Sequence, residues 1–182
     1  MIKARPVGGL RALLDGGPEA TSPYPAPMLT ELQSLTSEVG ALLARAMFPD
    51  PERIARTLET YRTDPERRVF VWVEGGRVVS AAGVQTQGAE AEVLHLGTRP
   101  GEEGRGYARA LLHTLARHLN VAQLVAETDD GAVGFYRRAG FEVTPAPPRG
   151  GRARYRVTLR RGESWAPGCQ TPPTRPAGQG GE

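Results

Sequence analysis

Residues 69–98 restrict the fold more than any other stretch. Three strand-type runs follow one another there: VFVWVE at 69–74, RVVSAAGVQT at 77–86 and AEVLHLGT at 91–98. The links between them are too short to hold a helix. β-Branched and aromatic residues suit a pleated, half-buried surface. Gly75-Gly76 reads as a hairpin turn, because glycine reaches positive φ without a Cβ clash. A chain committed to consecutive antiparallel strands must cover at least one face of the resulting sheet.

The flanking sequence supplies helices to do so. Residues 29–47, LTELQSLTSEVGALLARAM, place Leu32, Leu35, Val39, Leu42, Leu43 and Met47 at helical spacing, with Thr30 as N-cap. A second helix is expected over 51–63, with Asp50 as its cap and Pro51 in its first turn. Downstream, a helix over 105–118 turns Ala108, Leu111, Leu112, Leu115 and Leu119 inward. LVAET at 124–128 is a strand, and GAVGFYRRA at 131–139 is a short helix stopped by Gly140. FEVT at 141–144 and ARYRVTL at 153–159 form a last hairpin across PAPPRGG. The order predicts an α/β fold whose mixed sheet is antiparallel at first and parallel where a helix crosses over. Residues 1–28 read as an extension with room for a first strand or a short helix, the helix at Gly9–Leu14. Residues 29–160 form the domain, and the Gly/Pro-rich residues 161–182 a tail.

Charge and cysteine content exclude several classes. Lys and Arg total 23 against 20 Asp and Glu, a net charge of +3, and the two signs interleave. With no long basic run and no RNA-binding signature, no nucleic-acid partner is expected. Cys169 is the only cysteine, so neither an intrachain disulfide nor a cysteine-rich zinc site is expected, and no metal is implied. No apolar run approaches the roughly 18 residues of a membrane span, and no signal peptide is legible. A cytoplasmic protein without a membrane partner is expected.

Chemistry enters at TRPGEEGRGYA, residues 98–108, between the strand at 91–98 and the helix at 105–118. A strand feeding a glycine turn feeding a helix presents successive N–H groups to an anion. Gly104 and Gly106 let an anion approach the backbone, and Arg105 and Arg109 add charge. The loop lacks the Gly-Lys-Ser/Thr of a Walker loop, and its glycines do not follow the dinucleotide order.

Read with residues 129–141, DDGAVGFYRRAGF, the loop resembles the signature of the GNAT superfamily of acyl-CoA-dependent N-acyltransferases. The family pattern V-x-P-x-x-[R/Q]-G-x-G-x-[G/A] falls on 98–108, and N-x-x-A-x-x-x-Y-x-x-x-G-F falls on 129–141. The element order also fits over about residues 29–160. The resemblance implies a mixed, mostly antiparallel sheet splayed around an acyl-CoA cleft. It implies acetyl transfer from acetyl-CoA to a primary amine of a small molecule or protein, by direct attack in a ternary complex. Backbone groups of Leu96 and Thr98 would meet the pantetheine arm, with the Leu96 amide polarising the thioester carbonyl. Amides of Gly104, Arg105, Gly106, Tyr107, Ala108 and Arg109 would hold the pyrophosphate.

Tyr136 matches the tyrosine that protonates the departing thiolate as general acid. Glu92, eleven residues before Glu103, resembles the base glutamate of some members, and His95 is the alternative base. Strict alternation puts Glu90, Glu92, Leu94 and Leu96 on one face and His95 on the other, unless a bulge intervenes. Asp50, Glu52, Trp72 and Tyr155 are candidates for the acceptor pocket. Two departures stand out: Glu103 within the cofactor loop where the family has Arg or Gln, and Asp129 where Asn is common. Glu103 is expected to turn to solvent or to pair with Arg99 or Arg105. A homodimer is left open. The alternative function is a non-catalytic acyl-CoA-binding sensor.

Overall fold

The computed structural model describes residues 28–160. The helix expected at Gly9–Leu14, the tail and Cys169 lie outside the described residues. Seven strands form one sheet in the order β1-β2-β3-β4-β5-β7-β6. They are β1 (Met28–Leu32), β2 (Arg67–Glu74), β3 (Arg77–Gln87), β4 (Glu90–Thr98), β5 (Gln123–Thr128), β6 (Glu142–Arg149) and β7 (Arg152–Arg160). The helices are α1 (Ser37–Ala44), α2 (Pro51–Thr63), α3 (Tyr107–His118) and α4 (Val133–Arg138). β4 and β5 pair in parallel, and the other neighbours are antiparallel. The mixed, mostly antiparallel sheet expected from the strand runs is therefore present. No helix among the described residues is long and apolar enough to cross a membrane.

One expected element does not form. The single helix over 29–47 is replaced by β1, a turn and α1. Thr30 lies in the middle of β1, and the real cap is Thr36, whose Oγ1 accepts the Val39 N–H at 3.3 Å. The apolar spacing fits both readings, because residues three apart in a strand point to opposite faces. Leu29 accordingly joins the large core cluster and Leu32 the small one. Tertiary pairing decides the matter, since β1 covers the otherwise bare edge of β2.

The last hairpin is also longer than expected. β6 runs through Pro145, Pro147 and Pro148, and the turn is Gly150-Gly151 alone. Proline is tolerated there because β6 is an edge strand, whose outward N–H groups need no partner.

Each face of the sheet carries its own core. On one face, Leu111, Leu112 and Leu115 of α3 meet Phe70, Val84, Leu124, Val157 and Tyr136. On the other, Val39, Leu42 and Leu43 of α1 and Tyr61 of α2 meet Val69, Val71 and Ala81. α1 crosses β4 in direct backbone contact: a Cβ built on Gly97 would stand 1.9 Å from the Leu42 carbonyl oxygen.

Candidate active site

The sheet opens at its centre. β4 pairs with β5 only through Glu90–Val93, while Leu94–Thr98 run on against β3 alone. β5 continues instead against β7. The backbone groups of 94–98 that face β5 thus find no strand partner there among the described residues. The opening coincides with a β-bulge. Gly83 partners His95 and Val84 partners Val93, which leaves Leu94 as the extra residue.

The bulge overturns strict alternation. Ala91, Val93 and Leu96 face the α3/α4 cluster, and Leu94 packs in the α1/α2 cluster. His95 reaches Tyr61 in that same α1/α2 cluster. Glu92, which alternates with Ala91 and Val93, therefore shares a face with His95. Glu92 is solvent-exposed. His95 is half-buried, with its Nδ1 2.7 Å from the Tyr61 hydroxyl. Burial, helped by the nearby Arg67 cation, pushes its pKa down to about 4.

Tyr136 lies on the opposite face. It is buried in the cluster that includes Ala126 of β5 and Leu96 of β4, the residues bordering the opening. Its ring stands edge-on to Phe135 and Phe141, with centroids 5.0 and 5.3 Å away. Burial alone pushes the phenol pKa up to about 12. The amphipathic tyrosine is thus a core residue whose phenol stays protonated at neutral pH.

The glycine loop completes the site. α3 starts at Tyr107, two residues later than expected, and its N-cap is Gly106 at φ 85°. The other two long helices, α1 and α2, are capped by Thr36 and Asp50 side chains, whereas α3 has no side-chain cap and no acid in its first turn. Its first internal bond runs from the Ala110 N–H to the Gly106 carbonyl, so the N–H groups ahead of it point out of the helix end. Gly104 stands at φ 77°, and a Cβ built on Gly104 or Gly106 would meet nothing within 4 Å among the described residues. The glycines therefore serve backbone conformation, and the space before them is open. A cavity of about 400 Å³ adjoins the loop, lined by Arg77, Glu102, Arg105 and Tyr107 among others.

The loop's carboxylates are already partnered. Glu103 pairs with Arg45 at the end of α1 (3.0 Å) and accepts the Gly101 N–H at 2.7 Å. Its own backbone N–H and that of Gly101, with Arg45 adding, hold its carboxyl below the usual carboxylate range. Neither expected partner serves it: Arg99 pairs with Glu38, and Arg105 pairs with Glu102 at 3.1 Å. Glu102 also binds Arg77 at 3.0 Å. Asp129 accepts the Gly131 N–H at 3.0 Å, a turn bond that Asn or Asp makes equally.

The four acceptor-pocket candidates do not converge. Asp50 caps α2 by accepting the Arg53 N–H, and Glu52 is exposed. Trp72 packs on the α3/α4 face, and the Tyr155 hydroxyl donates to Asp130 at 2.7 Å. Sequence reading missed Tyr61 and Arg45. Tyr61 was within reach of it: Ile54, Leu58 and Tyr61 form an i, i+4, i+7 stripe that turns the tyrosine inward. Arg45 carries no such signal, since its contact spans 58 residues.

Comparison with known proteins agrees with this arrangement. Three solved structures share the fold at low identity. An acetyltransferase from Elizabethkingia anophelis with acetyl-CoA bound is 16% identical, with a TM-score of 0.56 over 74% of this chain and 97% of its own. One from Thermus thermophilus is 23% identical, with a TM-score of 0.55 over 72% and 96%. The ribosomal-protein-S18-alanine N-acetyltransferase of Escherichia coli is 23% identical, with a TM-score of 0.53 over 73% and 94%. The model of the acetyltransferase (GNAT) family matches residues 29–141, from β1 to the end of the YRRAGF segment, and the chain belongs to that family.

Proposed function

We propose that this protein transfers the acetyl group of acetyl-CoA to a primary amine by direct attack in a ternary complex. The observation that carries the reading is the coincidence of two open features: a β4 edge without a strand partner and, directly after it, a long helix whose N-terminus lacks a side-chain cap. The residues present fit acetyl-CoA. Amides of Gly104 to Arg109 would hold its pyrophosphate, and the backbone of Leu96 and Thr98 its pantetheine arm. Acetyl-CoA supplies an activated acyl group on a thiol leaving group.

The side chains divide the proton work. Glu92 takes a proton from the acceptor's ammonium, directly or through water, from the α1/α2 face, which frees the amine lone pair to attack. The Leu96 amide steadies charge on the carbonyl oxygen. Tyr136 delivers a proton to the departing sulfur from the α3/α4 face. The reading is tested by following free thiol release from acetyl-CoA over a panel of amines. Acetyl-CoA binding without release on any amine would overturn transfer and leave a binding module. Glu92→Gln is expected to lower kcat/KM at least tenfold at pH 7, with the loss shrinking as rising pH deprotonates the amine. Full turnover across the pH range would remove Glu92 from the mechanism.

Glu103 makes a separate forecast. An exposed carboxylate beside a pyrophosphate repels it weakly, because solvent screens it and Arg45 offsets it. Glu103→Gln should tighten CoA roughly two- to fivefold at low salt, with the gain fading as salt rises. Arg45→Ala should weaken binding by a similar factor. Calorimetric titration at two ionic strengths checks both, and a weaker Glu103→Gln complex would show that the carboxylate holds the loop in shape for the ligand.

A further inference from the structure

Leu32, Val69, Gly83 and His95 are successive partners across β1, β2, β3 and β4. α2 lays Tyr61 over this row at its one glycine. A Cβ on Gly83 would stand 2.1 Å from the Tyr61 hydroxyl, so any side chain there would displace the phenol. The hydroxyl instead reaches His95 Nδ1 at 2.7 Å, and the two rings meet edge-on at 5.9 Å. Arg67 stands against the phenol from β2, its guanidinium 5.9 Å from the ring centroid. That guanidinium is itself fixed, with Nη1 donating to Thr60 Oγ1 at 2.6 Å and Nε 3.4 Å from Asp64 Oδ2.

Among the described residues His95 Nδ1 is the one hydrogen-bond partner of the Tyr61 hydroxyl, which directs the phenol proton to it. Burial raises the Tyr61 pKa, so the phenol keeps its proton. Burial and the Arg67 field keep the imidazole uncharged. A neutral imidazole has one N–H and one bare nitrogen. With the phenol O–H donating to Nδ1, the ring proton belongs on Nε2. Nε2 is the ring nitrogen not bonded to Tyr61, and His95 itself stands on the half of β4 that β5 has left.

We propose that Tyr61 is a positioning residue that holds His95 as its Nε2–H tautomer, so that the open half of β4 presents the acceptor with a hydrogen-bond donor and not a base. The acceptor part rests on the acetyl-transfer reading; the tautomer part does not. The donor defines a substrate class: amines carrying a carbonyl or carboxylate oxygen close to the nitrogen. A plain alkylamine offers Nε2–H nothing to bind. Proton removal is left to Glu92 on the same face.

Two measurements test this. Long-range ¹H–¹⁵N spectra of the full-length protein resolve the tautomers of its 3 histidines without any substrate. His95 is expected neutral and Nε2-protonated at pH 7, and Tyr61→Phe is expected to shift it toward a tautomer mixture. A charged ring, an Nδ1–H ring, or no change in Tyr61→Phe would overturn the proposal. Second, kcat/KM is compared on amines with and without a neighbouring oxygen. The loss in His95→Leu should be about three- to tenfold larger on the first kind than on the second. His95→Gln, whose amide N–H falls near the place of Nε2–H, should recover part of the loss. Equal losses on both kinds would overturn the substrate class. Because the spectra need no turnover, failure of the transfer reading and failure of this proposal are told apart.

Discussion

Tyr136→Phe should lower kcat by about a hundredfold or more, the low end of what a positioned general acid contributes. The KM for acetyl-CoA should change little. The substitution removes one oxygen and leaves the ring among Phe135, Phe141 and Leu96, so packing changes little. In the ground state the transfer runs uphill. A phenol pushed up to about 12 is a weaker acid than an ordinary thiol near 8.5. The same apolar surroundings that penalise a phenolate also penalise a thiolate, and this raises the proton demand of the departing sulfur. The gap therefore narrows as the carbon–sulfur bond lengthens and charge builds on sulfur, which is when the proton is needed. The high pKa adds a second signature: activity should not fall as the pH passes 10, the usual tyrosine value, because the donor is still protonated. Single-turnover rates for wild type and Tyr136→Phe measure both effects. Retained kcat in the variant would reduce Tyr136 to a core aromatic, which its burial would explain equally well.

Sequence reading succeeded where one residue's environment is set by its neighbours in the chain. The alternating strands of 69–98, the inward stripe of α3 and the glycine-rich entry to it are all local patterns, and each stands in the structure. It failed where two distant segments had to choose each other. Leu32 and Leu35 fit a helix by spacing until β2 offered the segment of Leu32 an edge. The β4 bulge was allowed for but not located, because Leu94 looks like any strand leucine. Only its lack of a partner on β3 identifies it. Glu103 appeared to be a misplaced charge for the same reason: its cation, Arg45, arrives from α1. The candidate catalytic residues could therefore be named from the sequence, while the faces they occupy could not.

Gly97→Ala should destabilise the fold by about 3 kcal/mol or more, the upper range for overpacking a tight site. That corresponds to a fall in Tm of roughly 10 °C. Nothing in the sequence marks this glycine, which sits inside an otherwise ordinary strand. Its φ is not positive, so backbone strain is not the cause. The cause is α1: an added Cβ would lie 1.9 Å from the Leu42 carbonyl oxygen and 2.6 Å from its carbonyl carbon. These are backbone atoms in the last turn of α1, so no rotamer change relieves the clash. Either α1 lifts off the sheet, exposing Val39 and Leu43, or β4 bows toward the opening. Gly88→Ala is the matched control. It stands at φ 57° with nothing within 4 Å, so it carries conformational strain without a clash and should cost only about 1–2 kcal/mol. Thermal unfolding of the two variants separates the effects. The contact also has a functional side, because Gly97 lies in the unpaired half of β4, between Leu96 and Thr98. With β5 gone from that edge, α1 supports Gly97 from the α1/α2 face. Any folded Gly97→Ala protein should therefore lose acetyl transfer beyond its loss of folded fraction. A variant as stable and as active as wild type would mean that α1 yields without cost and does not set the shape of the opening.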